Sequence, residues 1–104
     1  MKEVRSSSVY IKWLKKLRDA EAKARIITRT RRLAIGNPGD SRFLGDISEL
    51  RIDYGTGYRV YYSNHKLTDT SREIIILLCG GDKTTQQQDI TNARKIARLY
   101  DEEK

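Results

Sequence analysis

The sequence predicts one α+β domain over residues 1–104, and three observations carry that reading. Apolar residues recur at helical spacing in the first third, alternate at a period of two in the middle, and run on continuously before a last helical stretch. The expected order is β-α-α-β-β-β-α, an antiparallel-rich sheet packed against an N-terminal helical hairpin and a C-terminal helix. A chain of this length has room for one core.

Residues 2–6 suit a short edge strand, and Ser7 or Ser8 can cap the helix that follows. Tyr10, Trp13, Leu14 and Leu17 then form one apolar stripe. Asp19 can cap a second helix, with Ala20, Ala24, Ile27 and Ala34 recurring along it until Gly36 and Pro38 end it. Residues 37–40 read as a loop. Beyond it Leu50, Ile52 and Tyr54, then Tyr58, Val60 and Tyr62, alternate with polar residues around Gly55-Thr56-Gly57, which predicts a hairpin. A three-residue loop sets Tyr54 opposite Tyr58 and Ile52 opposite Val60. It also sets Asp53 opposite Arg59, and Arg51 opposite Tyr61, on a face turned away from the core. The apolar run 74–79 reads as a central strand buried on both faces. Gly80-Gly81 ends it, and Thr84 or Thr85 can cap a final helix bearing Ile90, Ala93, Ala97 and Tyr100. The acidic end, 101–103, is expected to fray.

The charge is lopsided. Lys and Arg total 21 against 14 Asp and Glu, a net +7, and residues 1–35 hold eleven bases and three acids. Such a field favours polyanions. The lone Cys79 excludes an internal disulfide and suits a small core residue. The lone His65 reads as a turn residue, with no support for a Ser-His-Asp arrangement around it. The amino terminus lacks the apolar segment of a secretory signal, and no stretch is long enough to cross a bilayer, so the cytoplasm is the expected compartment, without a membrane partner.

Phosphate-loop, metal-cluster and nucleophile-elbow patterns are missing from the sequence, so no cofactor and no metal site is expected. Cations on rigid elements are present instead: Arg51 and Arg59 in the hairpin, and Lys83 just after the central strand. Tyr61 shares the arginine face and can stack on a base. Such a set suits metal-free cleavage of single-stranded RNA, in which guanidinium groups hold the pentacovalent phosphate. Lys83, Glu49 or Asp82 is the candidate base. An ordinary surface salt-bridge ladder among Arg51, Asp53 and Arg59 is the plainer alternative. Arg59→Ala and Lys83→Ala are expected to fold normally, both being read as outward-facing.

The stretches Glu-Leu-Arg-Ile-Asp-Tyr-Gly-Thr-Gly-Tyr-Arg-Val-Tyr-Tyr (49–62) and Ile-Ile-Leu-Leu-Cys-Gly-Gly-Asp-Lys-Thr-Thr-Gln-Gln-Gln-Asp-Ile (75–90) resemble the HigB-like addiction module killer branch of the RelE/ParE toxins. The resemblance implies the RelE-like fold and the toxin role in a type II toxin–antitoxin system. The activity it implies is ribosome-dependent, metal-independent mRNA cleavage that inhibits translation. The implied partners are the ribosome, mRNA and a cognate HigA-like antitoxin with a helix-turn-helix domain. By motif, Arg59 matches the phosphate-contacting arginine, Arg51 lies near a basic catalytic position, and Lys83 matches the cation after the last core strand. The chain departs from the family pattern at Glu49, where a base is expected, and at Gln86 and Gln87, where a tyrosine is expected after Lys83. Gln86 then joins the RNA contacts, and Arg25, Arg29 and Arg32 would grip ribosomal RNA through its phosphates. Naked RNA should be cut poorly. A ParE-like inhibitor of DNA gyrase and a non-catalytic RNA-binding module are the competing readings, since fold alone does not separate them.

Overall fold

The computed structural model describes residues 2–66 and 72–102. Among these lie strands β1 (Glu3–Ser6), β2 (Ser41–Phe43), β3 (Ser48–Ile52), β4 (Tyr58–Lys66) and β5 (Glu73–Asp82). The helices are α1 (Ser8–Lys16), α2 (Ala20–Arg31) and α3 (Gln86–Glu102), with single 3₁₀ turns over Arg32–Ile35 and Lys83–Thr85. The strands form one mixed sheet in the order β1-β5-β4-β3-β2, with β1 parallel to β5 and every other pair antiparallel. The α+β class therefore holds.

Local chemistry accounts for the helix boundaries. The Ser7 hydroxyl accepts from the Tyr10 amide at 3.0 Å and donates to the Leu78 carbonyl, so one side chain caps α1 and ties it to β5. Asp19 caps α2 by accepting from Glu21 and Ala22, and the Ala22 amide is the main reason its carboxyl sits below the usual range. Gly36 closes the 3₁₀ turn in the left-handed conformation, at φ +75°. The buried stripe of α2 is Ala22, Ile26 and Thr30, continued by Leu33. Ala20 and Ala24 are exposed. The helix is therefore rotated from the expected phase, because Ile26 supplies more apolar surface than the smaller alanines.

The sheet has a core on each side. Tyr10 of α1 and Ile26 of α2 meet Leu50, Ile52, Val60, Tyr62, Ile75 and Leu77 on one face. On the other, Ala93 and Ala97 of α3 meet Ile47, Tyr61, Ile74, Ile76, Leu78 and Cys79. β5 is buried from both directions, as its unbroken apolar run requires. Two glycines admit the helices. A Cβ on Gly80 would lie 2.3 Å from the Trp13 ring, and one on Gly81 would lie 1.8 Å from the Asp89 carboxylate.

Several expectations need correction. β2 is an additional strand where the sequence shows no alternation. The hairpin pairs Ile52 with Tyr58, Leu50 with Val60, Arg51 with Arg59 and Glu49 with Tyr61. Each strand keeps its faces, but the loop is longer and Tyr54 lies outside the ladder. Its hydroxyl donates to Asp19 and its ring lies under Arg25, 4.7 Å away, so α2 draws it from the strand. Asp82, not Thr84 or Thr85, caps the segment leading into α3. Asp101 is not frayed: its carboxylate meets the His65 Nδ1 at 2.9 Å. His65 lies in β4 rather than a turn, buried, with Nε2 2.7 Å from the Ser63 hydroxyl. This Ser-His-Asp chain secures the end of α3 to the sheet. Ser63 is 4% exposed, too deep for a substrate to reach its oxygen.

Candidate functional site

α3 covers β5 and β4 but leaves the adjoining face of β3 open beside it. The alternation of β3 and β4 turns Glu49, Arg51, Arg59 and Tyr61 towards this side, and β2 adds Arg42, the register partner of Glu49. Glu49 lies at the bottom, fully buried. Its Oε2 accepts from the Tyr61 hydroxyl at 3.2 Å and from the Gln86 amide nitrogen at 2.7 Å. The Arg59 Nε stands 3.9 Å from the same oxygen, and Arg42 stands 3.9 Å from Oε1. Glu49 is thus a buried carboxylate balanced by two guanidinium groups, without a hydrogen bond to either.

Arg59 is the unusual member. Its side chain is 15% exposed, its Nε is buried, and it donates no hydrogen bond to any described residue. Other arginines nearby are committed. Arg51 binds the Asp40 carboxylate at 2.9 Å. Arg94 clasps Asp46 and so anchors the β2–β3 turn to α3. Arg29 donates to the carbonyls of Arg51, Pro38 and Asp40 and holds the loop before β2 in place. Arg51 and Arg59 face one another across two strands, where like charges repel. Asp40 beside one and Glu49 beside the other offset that repulsion.

The expected site residues thus divide. Arg51, Arg59, Glu49 and Gln86 come together, and Lys83 stands at the same end of the sheet, exposed, its stem against Gly57 two residues before Arg59. Tyr61 is not available for stacking: it is 0% exposed, beneath α3. Burial first, then the charge of Glu49, pushes its hydroxyl well above the ordinary tyrosine range, which keeps it a donor. Asp82 is occupied as a cap, accepting from the Thr84 amide and hydroxyl, and the hydroxyl bond chiefly lowers its pKa. That makes it a poor base. Glu49 is too enclosed to take a proton from a substrate, so both carboxylate candidates drop out. Arg29 has a structural task in place of a phosphate contact. Arg25 pairs with Glu21 at 3.0 Å, whereas Arg32 is exposed. Arg25 and Arg32 belong to the helical face, on the opposite side of the sheet from the arginine pair. The outward-facing description of Arg59 also fails, since it is the charge partner of a buried acid.

Arg42 was missed because a three-residue edge strand carries no periodic signal. Among the described residues, no group of three His, Cys, Asp or Glu is placed to hold a metal ion, and no helix is long and apolar enough to cross a membrane.

Fold and site together define a small α+β protein with a cationic cluster beside α3, on the part of the sheet that this helix leaves uncovered. No family model matches the chain. It is 44% identical over 97 residues to an uncharacterized protein of Haemophilus influenzae, covering 92% of this chain and 93% of that relative, and it belongs to the same family.

Proposed function

We propose that the protein is a RelE/HigB-type toxin, a metal-independent endoribonuclease that cuts mRNA on the ribosome, inhibits translation, and is silenced in the cytoplasm by a HigA-like antitoxin. The observation that carries this reading is Arg59, whose Nε is turned in towards Glu49 while the guanidinium donates no hydrogen bond to a described residue, at the centre of a cationic cluster. Its terminal nitrogens are not among the buried unpaired atoms, so they are left to donate to a phosphate oxygen arriving from outside. The paired motif blocks resemble those of that family, and the α+β class is compatible with it.

In this scheme Arg59, with Arg51 and Arg42 beside it, binds the scissile phosphate and stabilises the charge that grows on its oxygens. Loss of one such contact typically costs ~3–4 kcal/mol of transition-state stabilisation. Lys83 is the exposed group left to move a proton. With no histidine in the cluster, the chemistry depends on the ribosome to align the 2′-hydroxyl with the phosphate. Arg32 and the α1 lysines contact ribosomal RNA through phosphates, so association weakens as salt rises.

Sequencing mRNA 5′ ends from cells expressing the protein tests the reading, with Arg59→Lys as the control. Lysine keeps a charge beside Glu49 but loses the planar two-donor fork. Codon-phased cuts in translated messages should disappear in the variant while its thermal midpoint stays put. Intact mRNA with broken DNA would overturn the proposal in favour of gyrase poisoning.

A further inference from the structure

Resting on that reading, we infer that Gln86 is a base-selecting residue, fixed by Glu49 so that its carbonyl oxygen faces the substrate and accepts from the exocyclic amino group of the nucleobase beside the phosphate on Arg59. Glu49 is the departure from the family pattern noted above, and its surroundings give it a task other than proton transfer. A carboxylate only accepts hydrogen bonds, so an amide next to it must present its nitrogen. The Gln86 Nε2 does so, 2.7 Å from Oε2. That oxygen also receives the Tyr61 hydroxyl, whose raised pKa keeps it protonated, and the whole of Glu49 is enclosed. The orientation of the amide is therefore set by chemistry and cannot reverse.

The other end of the amide is then defined. The Gln86 oxygen makes no hydrogen bond to a described residue, and it is not among the buried polar atoms lacking one. It is open to solvent. The Gln86 Nε2 and the Arg59 Nε flank the same carboxylate oxygen, at 2.7 and 3.9 Å, so the amide that carries the acceptor and the guanidinium that would bind phosphate are neighbours. Single-stranded RNA exposes base edges next to its phosphates, and such edges are read by side chains of this kind. A lone acceptor favours adenine, cytosine or guanine, whose amino groups project from the ring. It disfavours uracil, whose N–H lies between two carbonyls that would repel the glutamine oxygen.

The test is the base composition at each position around the cut, read from mRNA 5′ ends of cells expressing wild type, Gln86→Ala or Glu49→Gln. One hydrogen bond of this sort is worth roughly 3–10-fold. Uracil should be depleted by that factor at one fixed position beside the wild-type cut, relative to its share in the same messages. Among cuts that remain in either variant the depletion should vanish, because Gln86→Ala removes the acceptor and Glu49→Gln lets the facing amides pair either way round. A merely structural role for Glu49 would lower the number of cuts without moving this ratio. Depletion that is absent in wild type, or that survives in Gln86→Ala, overturns the inference while leaving the nuclease intact. Depletion lost in Gln86→Ala but kept in Glu49→Gln overturns the orienting role of Glu49. No cutting by wild type overturns the nuclease reading and this inference with it.

Discussion

Replacing Arg59 by alanine should destabilise the fold, and the size of that effect can be worked out from the surroundings of Glu49. Removing one member of a buried ion pair typically costs ~3–5 kcal/mol, because the survivor is left charged in a poor solvent. Here the survivor is fully enclosed, but the two groups are 3.9 Å apart without a hydrogen bond. Two neutral donors stay on Oε2, and Arg42, whose side chain is 53% exposed, remains beside Oε1 with its charge partly screened by water. These features reduce the expected loss to ~1–3 kcal/mol. For a domain of this size each kcal/mol lowers the melting temperature by about 4–8 °C. The assay is urea unfolding followed by circular dichroism, with unchanged m-values as the check on two-state behaviour. Glu49→Gln in the same chain should recover most of the loss, since a neutral amide needs no cation, and the coupling should exceed about 1 kcal/mol. An Arg59→Ala midpoint within ~0.5 kcal/mol of wild type, or strict additivity with Glu49→Gln, would refute the charge-balance argument. Loss of activity in Arg59→Ala therefore mixes folding with chemistry.

Two further outcomes follow from the packing of α1 and α3. Gly80→Ala places a carbon 2.3–2.5 Å from three ring atoms of Trp13, and displacing the ring should cost ~1–3 kcal/mol and shift the emission of this single tryptophan; an unchanged spectrum and midpoint would contradict the close approach. Burial raises the pKa of Asp89 in the folded state, outweighing the Thr85 hydrogen bond, so this group holds its proton more tightly when folded and its contribution to stability is lost as pH rises from about 4 through the folded value, opposite in sign to the contributions of Asp19 and Asp82. Asp89→Asn should remove that contribution, which urea midpoints across the range would reveal; a pH dependence unchanged by the substitution would exclude it.

The parts of the fold that sequence makes legible are those where a local rule and the global packing agree. Ser7, Asp19 and Gly36 end helices because their own side chain or backbone freedom does the capping. The apolar run of β5 marks a strand covered on both faces. What fails is whatever depends on a distant partner. Tyr54 continues the alternation of β3 but is claimed by Asp19 and Arg25 of another element. Tyr61 lies on the face away from α1 and α2, and only the arrival of α3 makes that face a second interior. His65 is drawn into β4 by contacts with Ser63 and Asp101, the latter at the far end of α3. In the site, the arginine pair was visible as residue types, whereas the separate duties of Arg29, Arg51 and Arg59 depend on acceptors that no spacing reveals.

The pairing of β1 with β5 has a consequence for biosynthesis. Glu3 to Ser6 find their ladder partners at Ile74 to Leu77, and Ser7 reaches as far as Leu78. β1 thus waits for β5, and such distant pairings are late and slow to close. α3, which supplies Gln86 and walls one side of the cluster, emerges later still. A nascent chain on the ribosome therefore has its cations but not their arrangement. On the reading proposed above, the cluster is assembled only after Gln86 and the helix that carries it have left the exit tunnel, so the cations exist well before the site does.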